Sequence, residues 1–349
     1  MHADPAPVHA VAPLRISFVG GGTDFPHWYR DHGGAVLSAT IDHVVRVTAT
    51  PREDRGVRVR SLDLGHLVEY HLDEGPRYDG VMDLAKAAIE RMGLDVGLDV
   101  DIESDAPAGS GLGGSSALVT ALVAALACLD RRELSRVEMA ELSYAIERED
   151  LGISGGWQDQ YAAAFGGFNL LEFGRDGVSV TPVAAGPDEL EELRKHLLLC
   201  YTGKMRPNVG LIDRQIAMFE AGREETLLGM KQLGEMAYAM RDAIERGDMA
   251  RLGEMLREAF EAKKRMNPHI AEGTSIEAML DAAGRAGATG GKICGAGGGG
   301  YLLIASPPEA RASVRAALES MGGQFAPFEV DPLGARARRG DRRWSPSTG

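Results

Sequence analysis

The sequence predicts an α+β protein built from two domains. Three features carry that expectation. The chain has 349 residues, 44% of them hydrophobic, enough for one large or two ordinary cores. Its β-rich stretches come in irregular groups mixed with helix, without the strict strand–helix alternation of a parallel sheet. Two glycine-rich loops, at residues 109–116 and 291–300, adjoin regular elements, and the first leads straight into an apolar helix.

Taken in order, residues 13–19 read as a strand that runs into Gly20-Gly-Gly-Thr-Asp24. Residues 35–49 are β-rich, and 58–70 supply further short strands. Apolar residues at helical spacing predict a helix over 81–92. Residues 98–102 alternate like a half-buried strand, and the run 117–129 is a core helix, too short to span a bilayer. An amphipathic helix is expected over 137–150, ending near Gly152. Residues 168–173 and 178–183 look like a hairpin around Gly174-Arg-Asp-Gly177. The acidic segment 186–192 is a candidate boundary, and 196–203 reads as the strand opening the second domain. Helices follow over 211–218, 227–245, 249–264 and 276–286. The second glycine loop precedes a strand at 301–305, and the last helix covers 311–321. The basic, Gly/Ser/Pro-rich stretch from Gly334 reads as a frayed terminus.

The formal net charge of −13 argues against a broad nucleic-acid or anionic-membrane surface. A few local cations can still hold a phosphorylated small molecule. Cys128, Cys200 and Cys294 are scattered without metal spacing, which suits a reducing cytoplasm. The first residues lack a basic segment followed by an apolar one, so no signal peptide is expected.

The stretch 98–129 is where chemistry is most legible. Strand, glycine loop and helix N-terminus in succession present free backbone N–H groups and a positive dipole end to an anion, most naturally a phosphate. Gly109, Gly111 and Gly114 match G-x-G-x-x-G, which alone is weak. A dinucleotide fold would place it at the first strand–helix turn, with an acid about 20 residues on. A Walker A loop would need a lysine where Ser115 stands. Other candidates surround this loop. Arg15, on the same strand face as Ser17, is an edge charge or a phosphate clamp. Asp24, at the mouth of a glycine turn, can accept hydrogen bonds from sugar hydroxyls or simply form an Asx turn. Glu147 and Asp159 bracket the loop at 152–157. One carboxylate could hold Mg²⁺ and the other orient or deprotonate a hydroxyl. A solvated helix-end charge and a helix N-cap are the respective alternatives. Lys204 and Arg206 could hold a substrate phosphate or remain solvated loop charges.

Three segments then line up. Pro13-Leu-Arg-Ile-Ser-Phe-Val-Gly-Gly-Gly-Thr-Asp24, Pro107-Ala-Gly-Ser-Gly-Leu-Gly-Gly-Ser-Ser-Ala117 and Lys292-Ile-Cys-Gly-Ala-Gly-Gly-Gly-Gly300 together resemble the three signature motifs of the GHMP kinases. That family is named for galactokinase, homoserine kinase, mevalonate kinase and phosphomevalonate kinase. More narrowly, Gly20–Asp24, Ala39-Thr-Ile-Asp42, Glu147-Arg-Glu-Asp-Leu-Gly-Ile153 and Gln158-Asp-Gln-Tyr-Ala-Ala-Ala-Phe-Gly-Gly-Phe168 are similar to the D-glycero-D-manno-heptose 7-phosphate kinase branch.

The resemblance implies an ATP-binding N-terminal domain at 1–190 with a ribosomal S5 domain 2-like fold. It further implies a ferredoxin-like C-terminal domain at 191–333, which leaves the compositionally flexible tail at 334–349. ATP would lie against Pro107, Gly109, Ser110, Gly111, Leu112, Gly113, Gly114, Ser115 and Ser116. Mg²⁺ would be held by Ser115 or Ser116 with Glu147. Asp159 would act as catalytic base or orienter, with Arg15 near the transferred phosphate. Gly22, Thr23 and Asp24 would meet the sugar, with Asp159, Gly297 and Gly298 shaping the site; Lys204 stands where that branch would carry a hydrophobic residue, so the placing of Lys204 and Arg206 near the sugar phosphate rests on their charge and not on the resemblance. The implied activity is ATP-dependent phosphorylation of the anomeric hydroxyl of the heptose 7-phosphate, giving the 1,7-bisphosphate. Kinases of free fucose or galactose, or a catalytically silent sugar and nucleotide sensor, are the alternatives. The expected partners are ATP and a small sugar phosphate, for a cytoplasmic monomer or homodimer.

Overall fold

The computed structural model describes residues 6–205, 210–340 and 344. In chain order the first lobe comprises β1 (Val8–Val19), α1 (Pro26–His32), β2 (Gly34–Pro51), β3 (Gly56–Ser61), β4 (His66–His71), α2 (Asp83–Met92), β5 (Leu98–Ser104), α3 (Gly114–Leu129), α4 (Arg136–Ala145), α5 (Gln158–Phe165), β6 (Phe168–Gly174) and β7 (Gly177–Pro182). The second comprises α6 (Pro187–His196), β8 (Leu197–Met205), α7 (Leu211–Glu220), α8 (Glu224–Glu245), α9 (Met249–Met266), α10 (Ile276–Arg285), β9 (Gly290–Ile293), β10 (Gly299–Ala305), α11 (Arg311–Glu319) and β11 (Gln324–Ala326). The chain then returns to the first lobe as β12 (Arg336–Arg339).

The first sheet runs β12-β1-β2-β5-β3-β4, with β6 also pairing β2 and β7 pairing β6. Its pairs are antiparallel except β3–β5, joined through β4 and the α2 crossover as a parallel connection requires. β1 is buried along its whole length, because α3 and α5 cover one side of the sheet and α8 reaches the lobe junction. The α3 run Ala117–Ala127 is almost wholly buried, which is why its sequence lacks a polar stripe.

The second sheet is β11-β8-β10-β9, entirely antiparallel. Strand alternation divides its side chains between two cores. Leu199 and Leu303 join Leu252 and Leu256 of α9 in a cluster continuous with β1 and α3. Leu198, Leu302 and Ile304 pack instead with Ile276 and Met279 of α10 and Val314 and Leu318 of α11. The two lobes are therefore welded by one hydrophobic core.

Two sequence expectations change, at 137–150 and from Gly334, and the candidate boundary at 186–192 takes on a defined structure. The helix expected over 137–150 is α-helical only to Ala145 and continues as a π turn over Ile146–Asp150. The acidic segment at 186–192 is the start of α6, with Pro187 in its first turn. The stretch from Gly334 is no frayed tail in its described part. β12 pairs antiparallel with β1, Val8 opposite Arg339 and Val11 opposite Arg336. Arg339 donates to the carbonyls of Cys128 (3.2 Å) and Leu129 (3.0 Å), the exposed acceptors at the C-terminal end of α3. Trp344 lies over the guanidinium groups of Arg336 and Arg338. Just upstream, Asp331 N–H donates to Thr40 O at 2.9 Å and Val330 bridges Ile41. The sheet edge needed a partner, and an arginine-rich strand supplied one.

Candidate active site

The first glycine loop is a wound turn. Gly109, Gly111 and Gly113 have φ of 76°, 85° and 74°, open to glycine at no steric cost. Leu112 between them is fully buried and its carbonyl accepts from Arg15 N–H at 2.9 Å, so the loop is pinned to β1. Ser110 N–H donates to Pro107 O, and Ser110 O accepts from Tyr301 N–H at 3.0 Å. Gly113 is the N-cap of α3, with no side chain capping it. The amides of Gly114, Ser115 and Ser116 lie in the first turn, where no intrahelical acceptor exists. An anion is the natural partner.

Beside this loop Arg15 and Asp159 form a two-point ion pair. Arg15 Nε donates to Asp159 Oδ1 at 2.7 Å and Nη2 to Oδ2 at 2.9 Å, while Nη1 donates to Gly111 O at 2.6 Å. A methyl group on Gly113 would lie 3.3 Å from Arg15 Cγ and 3.4 Å from Asp159 Cγ. Loop and pair are thus in contact. Asp159 lies in the first turn of α5 but does not cap it; the N-cap is Trp157. Its carboxylate is committed to Arg15 and retains 21% exposure.

Glu147 is on the π turn. A π turn inserts one residue into the helical register, and here it carries Glu147 inward. The residue is completely buried, so the solvated helix-end reading is wrong. Its Oε1 accepts from Gln160 Nε2 at 2.9 Å, and Oε2 faces Arg148 Nη1 at 3.3 Å and Ser115 Oγ at 3.5 Å. Burial raises its pKa above the usual carboxylate value, against the opposing pull of Arg148. Ser116, also buried, accepts from Gln160 at 3.1 Å. Ser115 is exposed. An all-oxygen set of the Glu147 carboxylate and the exposed Ser115 hydroxyl, next to a phosphate loop, fits a hard divalent cation completed by nucleotide oxygens and water.

Opposite the loop a cavity is lined by Arg15, Gly22, Asp24, Gln158, Asp159 and Gln215, among others. Asp24 is fully buried and accepts from Gly22 N–H (2.9 Å), Gln158 N–H (3.1 Å) and Gln158 Nε2 (3.4 Å). It therefore both closes the local turn and faces the cavity, so neither sequence alternative is excluded by the other. Burial pushes its carboxyl pKa up. Gly156 must lack a side chain, because a Cβ there would sit 2.0 Å from Asp24 Oδ2. Gln158 Oε1 and Gln215 Nε2 are buried with no hydrogen-bond partner. Unsatisfied amides in a cavity call for a polar guest.

The other candidates fall differently. Thr23 turns away from the cavity, its hydroxyl donating to Gly20 O (2.8 Å) and Ala35 O (3.1 Å); its role is to close the turn. Gly297 and Gly298 back onto Ile270, with Gly298 N–H donating to Ile270 O at 2.8 Å. Gly295 and Ala296 line the cavity in their place. Lys204 is in β8, beside Met205, which pairs with Gly299. Arg206 lies outside the described residues. Sequence reasoning did not single out Gln158, Gln215, Arg148, Lys263 or Lys292, all on the cavity wall. Lys292 opens the third glycine-rich motif and Lys263 begins the run Lys263-Lys-Arg265, but neither pattern separates a buried ammonium from a solvated one.

The chain is similar to known proteins over nearly its whole length. The family model for the GHMP kinases N terminal domain matches residues 80–167, and that for GHMP kinases C terminal matches 240–324. A D-glycero-alpha-D-manno-heptose 7-phosphate kinase of Campylobacter jejuni is 33% identical over 95% of this chain and 99% of that protein. A galactokinase of Thermococcus kodakarensis is 27% identical over 84% of this chain and 87% of its own. A crystal structure described as a D-glycero-D-manno-heptose 1-phosphate kinase from Bacteroides thetaiotaomicron superposes with a TM-score of 0.79 at 30% identity, covering 96% of this chain and 100% of that one. Among the described residues no helix is long and apolar enough to cross a membrane. The chain belongs to the GHMP kinase family and is an ATP-dependent phosphotransferase acting on a sugar hydroxyl.

Proposed function

We propose that the chain transfers the γ-phosphoryl group of ATP to the anomeric hydroxyl of D-glycero-D-manno-heptose 7-phosphate, giving the 1,7-bisphosphate, with Mg²⁺ as the metal. The observation carrying this reading is the position of Asp159. Arg15 holds it where the glycine loop meets a cavity lined by Asp24, Gln158 and Gln215, with Gln158 Oε1 and Gln215 Nε2 buried and lacking a partner. The near full-length similarity to the Campylobacter jejuni kinase supplies the sugar.

In this scheme the loop amides of Gly114–Ser116 bind the nucleotide phosphates, and Ser115 with Glu147 would hold Mg²⁺, whose charge would offset that of the phosphates. Asp24 and the glutamines orient the sugar. The anomeric oxygen attacks the γ-phosphorus as the bond to the β-bridging oxygen breaks, and its proton passes to the Asp159 carboxylate. Arg15 fixes that carboxylate and sets positive charge beside the transferring group. Positioning and charge account for most of the acceleration in such reactions. The three cysteines are free, which suits a cytoplasmic enzyme.

The names of the two heptose kinase relatives differ in which carbon already bears phosphate. The deciding assay follows ATP consumption with heptose 7-phosphate, heptose 1-phosphate, free heptose, fucose and galactose, with products identified by phosphorus NMR. A new anomeric phosphate from the 7-phosphate alone upholds the reading. Preference for a free sugar replaces the substrate, and nucleotide binding without turnover of any sugar points to a sensor. In the same assay Asp159→Asn should lower kcat by roughly 10³-fold with nucleotide affinity retained; near-normal turnover removes Asp159 from the chemistry.

A further inference from the structure

Lys263 and Lys292 are buried lysines, 8% and 3% exposed. Both line the cavity of the reacting groups, and among the described residues neither has a carboxylate within ion-pair distance. Lys292, on β9, donates to Ser17 O at 2.6 Å and so braces β1. Lys263 reaches from α9 to the carbonyl of Gly295. That contact gives its position meaning. A Cβ on Gly295 would lie 2.5 Å from Gly111 Cα, and Gly111 O is the acceptor for Arg15 Nη1. Two cations from different lobes are therefore anchored on the two sides of one backbone contact, at the phosphate loop.

We propose that Lys263 is a phosphoryl-binding cation of this site, contributed by the second lobe to a phosphoryl oxygen beside the Arg15–Asp159 pair. This rests on the kinase reading above. An ammonium has three donors, and one carbonyl occupies one of them. Burial of unpaired charge is unfavourable without a counter-ion. The surroundings make the deficit concrete. Burial first, then Lys292 on β9, push the Lys263 ammonium down to about 7; Cys294 pulls the other way, Arg15 on β1 adds a smaller downward push and Asp24 the smallest upward one. The anion is the γ-phosphoryl group of ATP or the phosphate already on the sugar: Lys263 lines the cavity with Asp24 and Gln158, and its partner Gly295 abuts Gly111 of the phosphate loop.

The test compares wild type with Lys263→Met, which keeps the stem and removes the charge, and with Lys263→Arg. Expected for Lys263→Met is a kcat loss of about 100-fold, with the melting temperature of the unliganded protein maintained and activity partly restored in Lys263→Arg. A loss in kcat with unchanged KM for the sugar assigns the γ-phosphoryl group. A rise in KM for heptose 7-phosphate, absent with the unphosphorylated heptose, assigns the sugar phosphate. A non-hydrolysable ATP analogue should stabilise wild type more than ADP does against heat, and Lys263→Met should lose that increment if ATP is the source. This readout needs no sugar turnover, so it stands even if the substrate reading fails. Turnover within about threefold of wild type, with unchanged KM values and an intact analogue increment, overturns the proposal. If Lys263→Met does not fold, Lys263→Arg decides by the same measurements, since a mere bolt to Gly295 would leave them unchanged.

Discussion

The two glycine-rich loops are alike in composition and opposite in use. In the first, the positive φ angles of Gly109, Gly111 and Gly113 wind the chain so that the first amides of α3 are open to a ligand. In the second, glycine is needed because backbone meets backbone. A Cβ on Gly300 would lie 2.2 Å from Ser110 O, one on Gly295 2.5 Å from Gly111 Cα, and one on Gly297 2.8 Å from Ile270 O. The second loop is a bed for the first. Glycine density thus marks close approach, and whether a ligand or another strand approaches is settled elsewhere in the molecule.

Substitutions can break or sharpen this contrast. The largest effect is expected for Gly300→Ala, with φ of 97° and a Cβ colliding with a backbone carbonyl. Strain and overpacking together should remove about 4 kcal/mol of stability, read as a lower denaturant midpoint. An unchanged unfolding curve would show that the second loop does not bear on the first. Next comes Gly113→Ala. Its left-handed conformation costs about 1–2 kcal/mol with a side chain, and the added methyl presses on Arg15 and Asp159. Turnover should fall about tenfold, 1.4 kcal/mol in barrier, while most of the stability survives. Unaltered kcat would uncouple the loop from the pair. The smallest effect belongs to Gly114→Ala. The position is helical and the nearest atom, Leu14 Cδ2, is 4.0 Å from the added carbon, so a gain of about 0.5–1 kcal/mol in stability is expected. A loss there would mean that even this position packs as tightly as the second loop.

Much of this molecule was legible beforehand because its cues are local. The strand at 13–19, the hairpin around Gly174–Gly177 and the helix after the first glycine loop follow from periodicity and turn chemistry. What failed depended on distant partners. The arginines of β12 look like a solvated tail until β1 offers an edge and α3 offers carbonyls. Thr23, Gly297 and Gly298 sit in motifs beside the site, yet their own bonds lead to Gly20, Ala35 and Ile270. Lys263 looks like its neighbours Lys264, which is half-buried, and Arg265, which is exposed, until α9 is docked and only Lys263 of the three is buried.

By itself the sequence determined which residues have the chemistry: a carboxylate after the loop at 152–157, an arginine on the first strand, a glycine run opening an apolar helix, and the order of three motifs. It determined the family through that order. Only the tertiary structure decided which of these groups meet. Arg15 and Asp159 are 144 residues apart and bond at 2.7 Å. Lys263 shares their cavity because the two lobes are joined by one core. The reason is physical: a side chain's type is local, whereas its burial, its partners and its charge state belong to the whole fold.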